Sequence, residues 1–158
     1  MSLVLSSTDS FVTTAPPAAV WTALATPGRW PEVLTDLQEG LIEPPGSLCE
    51  GAVIRTFARP GTKAIDMTYR VILAEPERRL SFRSEGNDWR GATDYTIEAD
   101  GRTRVTLSVA IEPRTFWPRL AVRFWRGLYQ DQLAANTRSR MLAMLKLAET
   151  IAREAART

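Results

Sequence analysis

Between Asp36 and Glu112 the apolar residues of this chain recur at every second position, and that period decides most of what it can fold into. Alternation of this kind sends successive side chains to opposite faces of an extended strand. In one segment Ile65, Met67, Tyr69, Val71 and Leu73 share a face against Asp66, Thr68 and Arg70; in another Val105, Leu107, Val109 and Ile111 oppose Arg104, Thr106 and Ser108. Strands are predicted at 37–43, 52–58, 64–74, 79–85, 89–99 and 103–112. The joints between them, EPPGSLCEG, ARPGT, EPER, EGND and ADGR, hold the Gly, Pro, Asn and Asp residues that suit chain reversal. The result is an antiparallel sheet with one wet face and one covered face.

Residues 2–14, apolar and hydroxyl-rich, form a further strand ahead of this set. Pro16 and Pro17 then open a short helix, where a missing N–H costs nothing, and Val20, Trp21 and Leu24 fall on one face of it. Thr26 and Pro27 make an N-cap and first-turn pair for a second short helix that carries Trp30, Val33 and Leu34 inward. From Pro118 to Ala156 strong helix formers dominate, which predicts a long terminal helix able to cover the sheet. Its apolar face moves, however. Trp117, Leu120, Ala121, Phe124, Trp125 and Leu128 form one arc with Arg119, Arg123 and Arg126 opposite. Beyond about residue 131 the arc holds Leu133, Ala134, Met141, Met144, Leu145, Ala148, Ile151 and Ala152, rotated by roughly half a turn. A straight helix cannot bury both, so either it bends near Gly127 or its halves cover different things.

At 158 residues the chain is most simply one domain, 1–158, with a substantial core. It has no histidine and one cysteine, Cys49, which excludes Ser-His-Asp and Cys-His catalysis, a disulfide framework and a His-ligated metal. Proton transfer is left to Asp, Glu, Tyr, Lys or water. No strand-linked GxGxxG or phosphate loop is present, so no cofactor is expected. The start, MSLVLSSTDSF, lacks a leader pattern and no stretch approaches a membrane span, which makes the cytoplasm the expected location. The net charge of +2 hides an asymmetry: from Glu112 onward there are nine Arg or Lys against four Asp or Glu, and before it eleven against fourteen. No continuous basic face or reading motif accompanies the basic tail, so nucleic acid is not expected as a partner.

The order of these elements, with APPAAVWTALATPGRWPEV, GSLCEGAVIRTF and LAANTRSRMLAMLKLAET, resembles the START-like superfamily, also called SRPBCC or helix-grip. Within it the chain is most similar to the polyketide cyclase/dehydrase and lipid-transport branch. The resemblance spans essentially the whole chain. It implies an α+β helix-grip fold, β-α-α-β6-α, with a curved seven-stranded antiparallel sheet wrapped around a long C-terminal helix. It also implies a deep, largely apolar cavity between the two, open near the short helices, but names no cargo.

Residues are assigned to that cavity by pattern. Trp30 stands at the expected mouth, while Trp21 pins the first short helix to the sheet. Phe57, Met67, Phe82, Trp89 and the phenols Tyr69 and Tyr95 occupy positions compatible with the covered face, where each is either simple core or pocket wall. Phe124 and Leu128 on the terminal helix complete the apolar set. Asn136 and Arg140, four residues apart, edge the covered arc, and Arg140 either reaches a ligand oxygen or snorkels outward. Arg55 shares the alternation of Val53 and Phe57; it points inward, at a cost that only pairing offsets, or a local register break exposes it.

Three readings are open: a carrier of a hydrophobic small molecule, lipid-like or polyketide-like; a cyclase, aromatase or dehydratase using Arg55, Tyr69 or Arg140 on developing enolate charge; or a module acting through RTFWPRLAVRFWRGLY, residues 114–129. That segment carries four arginines, five aromatics and no acid. It closes the cavity mouth, packs on a second subunit as a homodimer, or lies on a membrane surface.

Overall fold

The computed structural model describes residues 3–59 and 65–158. Strand β1 (Leu5–Thr13) is followed by helix α1 (Pro17–Ala25) and a 3-10 helix (Pro27–Glu32). Six strands come next: β2 (Leu37–Glu43), β3 (Val53–Ala58), β4 (Ile65–Glu75), β5 (Arg79–Glu85), β6 (Trp89–Asp100) and β7 (Arg102–Pro113). Helix α2 (Phe116–Ala156) ends the chain. Strands β2 and β5 fall where the alternation placed them, and the others differ only at their ends. Residues 60–64, which take in the end of the ARPGT joint and the first position of the strand predicted at 64–74, lie outside the described residues, as does the side chain of Ile65.

All neighbours pair antiparallel in the order β1-β7-β6-β5-β4-β3-β2. The first two strands are therefore the two edges of the sheet. The chain must cross from one edge to the other after β1, and α1 with the 3-10 helix makes that crossing over the open end. This is the physical reason for the helix break at TPGRWP: one straight helix cannot follow the rim. Thr26 does not cap the second segment; its hydroxyl bonds back to the Thr22 carbonyl at 2.6 Å. The crossing chain is pinned where Gly40 of β2, which is buried, passes directly against the Pro27 carbonyl.

The sheet curves around α2 in the helix-grip arrangement. Ala15, Ala19 and Ala23 give the start of the crossing a small-residue face, and Met141, Met144, Leu145, Leu147 and Ala148 of α2 share one buried cluster with it. Ile54, Val71, Leu80, Val105 and Leu107 complete that cluster from the sheet. Side chains of this size contribute about 1.5–3 kcal/mol each when fully buried, so this cluster holds the fold together. The outer face is wet, and between β1 and β7 it carries a hydroxyl ladder: Thr8 with Ser108 at 3.0 Å and Ser10 with Thr106 at 2.8 Å.

Three expectations are corrected. On β3 the inward residues are Ile54 and Thr56; Arg55 lies outward, its side chain 55% exposed and paired with Glu43 at 3.1 Å, and Phe57 shares that outer face. On β4 the face runs as predicted through Tyr69 and Val71, but a bulge between Val71 and Leu73 turns Leu73 outward opposite Ser81 and brings Ala74 inward opposite Leu80. On α2 the backbone leaves helical geometry at Trp125 (φ −121°, ψ 35°), close to Gly127 as the shifting apolar face required, but the arc before the break is not where it was placed. The first arc does not cover the sheet. Phe124, Trp125 and Leu128 face solvent, and the residue of that segment buried completely is Val122, packed with Leu5 and Leu133. No helix among the described residues is long and apolar enough to cross a membrane.

Candidate ligand-binding cavity

The antiparallel register aligns three rings diagonally across β4, β5 and β6. Tyr69 and Phe82 lie 6.3 Å apart between centroids, and Phe82 and Tyr95 lie 6.2 Å apart, edge to face at 77°. They form one wall of a cavity closed by Trp30, Leu34 and Leu37 from the crossing segment and by Arg140 and Met144 from α2, with Thr56 and Thr93 on its floor. The cavity holds about 50 Å³. A second cavity of about 170 Å³ lies on the other side of Tyr69, Thr93 and Arg140, all three of which line both. Met67, Val109, Ile111, Leu133 and Asn136 contribute to it.

On α2 the spacing 133, 136/137, 140, 144 follows the helical period, so Leu133, Asn136, Thr137, Arg140 and Met144 present one inward stripe. Thr137, buried in that stripe, satisfies its hydroxyl on the Leu133 carbonyl at 2.7 Å. Arg140 lines both cavities and keeps a solvent-exposed surface, so it stands at their shared opening. Burial pulls its pKa down, but the Tyr69 and Tyr95 phenols, a hydrogen bond with Tyr69 and the more distant Asp36 carboxylate outweigh it and raise it. Arg140 therefore stays a cation. No carboxylate lies within ion-pair distance of it among the described residues. Tyr95, 4% exposed, is pushed up to about 12 by burial, against the opposing pull of Arg140, so at neutral pH it is a hydrogen-bond donor and not a base.

Of the residues singled out from sequence, the structure brings together Trp30, Met67, Tyr69, Phe82, Tyr95, Asn136 and Arg140. It separates Arg55 and Phe57, on the outer face; Phe124 and Leu128, on the exposed face of α2; and Trp89, which stacks on Tyr129 at 5.9 Å outside the cavity. Thr56 and Thr93 were not anticipated. Their parity with Ile54 and Tyr95 is the signal that would have found them. No group of three or more Cys, Asp or Glu among the described residues is placed to hold a metal ion.

The mouth is held by a charge clamp. Arg29 bonds Glu32 at 2.8 Å and Glu154 near the end of α2 at 3.0 Å, tying the 3-10 helix to α2, while the Trp30 indole N–H donates to the Ala23 carbonyl at 2.9 Å. Both carboxyls are held below their ordinary 4.5, first by the hydrogen bond from Arg29. A depressed carboxylate stabilises the fold above its unfolded pKa and loses that contribution as pH falls through the folded one. Acidification below 4.5 is thus expected to loosen the mouth and shift Trp30 emission to the red before global unfolding. Arg29→Gln should show the loosened emission already at neutral pH, with only a small loss of stability because the pair is exposed. An acid transition of Trp30 unchanged in that variant would disprove the clamp.

The fold has many solved counterparts. The di-domain ARO/CYC StfQ from the steffimycin biosynthetic pathway superposes with a TM-score of 0.75 at 12% identity, covering 98% of this chain and 52% of that one. This chain thus spans about half of that protein. The Zhui aromatase/cyclase from a Streptomyces species gives 0.72 at 18% identity, covering 92% and 94%. Ara h 8.0201 gives 0.70 at 15% identity, covering 96% and 99%. At such identities the likeness shows the fold alone. No curated protein matches the sequence. The family model described as polyketide cyclase / dehydrase and lipid transport matches residues 5–139, which takes in every strand, both short helices and the inward stripe of α2 up to Asn136 and Thr137. By that match and its helix-grip architecture, the chain belongs to the polyketide cyclase/dehydrase and lipid-transport family of the START-like superfamily.

Proposed function

We propose that this protein binds and carries an apolar small molecule that bears one anionic or strongly polarised oxygen. The observation that carries the reading is Arg140, a cation with no ion-pair partner, set among apolar and aromatic walls. Its guanidinium is open to solvent while the walls around it are apolar, so a ligand oxygen that displaces water there meets a cation no carboxylate of the protein neutralises. Trp30, Leu34, Phe82 and Met144 offer the apolar contact. Even together the two cavities, about 50 and about 170 Å³, fall short of the roughly 300 Å³ at the lower end of drug-sized ligand sites, so such a ligand spans both with its oxygen at Arg140 only if the interior widens around it. Its entry requires Trp30 and the 3-10 helix to move aside.

A second reading, a cyclase, aromatase or dehydratase, is favoured by the convergence of Tyr69, Tyr95 and Arg140 on one spot, since donors so placed stabilise developing enolate charge. Against it, the described lining holds no carboxylate, thiol or imidazole to take a proton. The aromatase/cyclase structures that share the fold also favour this reading. Native mass spectrometry of freshly purified protein, followed by extraction, separates the two. An intact bound compound returned unchanged supports the carrier. A compound consumed into product, with turnover lost in Tyr69→Phe, supports the enzyme, and an interior that takes up no apolar compound refutes both.

A further inference from the structure

The first part of α2 exposes what a helix packed on a core would hide. Trp117 is 74% exposed and Phe116 and Phe124 are each 67% exposed, with Trp125 and Leu128 beside them. The rings meet one another, Phe116 edge-on to Trp117 at 5.3 Å and Phe124 tilted against Trp125 at 6.2 Å between centroids. Arg119 and Arg123 stand exposed along the same stretch, and Arg114, bonded to the Gly86 carbonyl, stands at its start. No carboxylate occurs from Pro113 to Gln130. Of the flanking acids, Asp88 accepts from Thr115 and Glu112 pairs with Arg90, while Asp131 stands exposed just beyond the segment.

We infer that this face, residues 114–128, docks on an anionic lipid surface. Exposed aromatics along one arc, with exposed arginines on the rest of the same turns, suit the boundary between headgroups and acyl chains, where rings enter the apolar side and long arginine stems carry guanidinium groups to phosphate. Charge decides between a membrane and a second copy of the chain. A two-fold contact through this segment would bring its four arginines together with those of the copy, with no acid in the segment to compensate them. An anionic surface supplies the missing charge. The break at Trp125 helps geometrically, because it frees the turn before it from the direction of the buried half of α2. The face also adjoins the cavity wall: Tyr129 stacks on Trp89, and both belong to the apolar cluster of Leu133 and Ile111, which line the second cavity. The inference does not depend on what that cavity binds.

The test is co-sedimentation of the full chain with vesicles of phosphatidylglycerol and phosphatidylcholine in equal parts, against phosphatidylcholine alone. Binding to the first and not the second is expected, weakening as salt rises because the screening length shrinks. Trp117→Ser with Phe124→Ser should lower the affinity by about tenfold or more, since each ring loses its apolar burial. Arg119→Gln with Arg123→Gln should lower it several-fold and flatten the salt dependence. All four side chains are exposed, so unchanged melting of the variants separates lost docking from lost fold. No binding to the anionic vesicles, or equal binding to both kinds, overturns the inference. So does a dimer in sedimentation velocity that Trp117→Ser disperses, which would assign the face to a second copy.

Discussion

Arg140→Leu is expected to abolish the preference of the cavity for 2-naphthoate over 2-naphthamide, two probes of nearly one shape that differ in charge. In the wild type the carboxylate meets the guanidinium, and a hydrogen bond to a charged group contributes roughly 1.5–3 kcal/mol. That corresponds to about a 10- to 150-fold difference in Kd, measurable by isothermal titration or by quenching of Trp30. The variant should bind both probes alike, at the level set by apolar contact with Phe82 and Met144. Melting should stay level, because the guanidinium is open to solvent and has no ion-pair partner to lose. A further readout is specific to the site. Arg140 opposes the effect of burial on the Tyr95 phenol, so its removal should push that pKa further up. A preference for naphthoate that survives in Arg140→Leu would remove the oxygen-binding role from this residue.

Gly40→Ala should cost more than its single methyl suggests. A Cβ there would fall on the Pro27 carbonyl, 2.8 Å from the carbonyl carbon and 3.2 Å from the Pro27 Cβ. The obstacle is backbone, so no rotamer relieves it; β2 or the 3-10 helix must shift. Overpacking of this kind costs about 1–3 kcal/mol. At this chain length each kcal/mol lowers Tm by about 2–4 °C. The displaced segment carries Trp30 and Leu34, so probe affinity should fall with stability. Gly28→Ala is the control: its Cβ meets the Gly40 carbonyl oxygen at an ordinary 3.8 Å and should change stability by less than about 0.5 kcal/mol. If the two substitutions melt alike, Gly40 does not brace the mouth.

The sheet was legible because its strands obey one period and its joints carry turn chemistry. The diagonal Tyr69, Phe82 and Tyr95 followed from that parity alone. Parity failed where both faces of a strand are apolar: Val53 and Phe57 outside and Ile54 inside leave β3 without a contrast to read, and Arg55 went inward with the wrong set. It failed again at Ile72, since a bulge adds a residue without any mark in composition. On α2 a ring of aromatics signalled a face but not its direction. Hydrophobicity says that a surface wants cover, and Phe124 and Leu128 show that the cover need not come from the same chain. Arg140 was readable as a candidate because it sits four residues from Asn136 and Met144, on a stripe whose buried end was already clear. That it lacks an ion partner is a tertiary fact that no local pattern contains.

The placement of β1 and β2 on opposite edges also governs how the protein must be made. Leu5 pairs with Ile111 and Thr13 with Thr103, so β1 has no partner until nearly the whole sheet has left the ribosome. At about 5–20 residues per second, that wait lasts on the order of 5–20 s. An unpaired strand is a template for pairing with other chains, and a hydrophobic one would be dangerous for that long. The sequence LSSTDSFVT, five of whose first six residues are hydroxylated or acidic, keeps the waiting strand hydrated. The same hydroxyls later form the ladder with Thr106 and Ser108, so the composition that closes the sheet also protects the chain before closure.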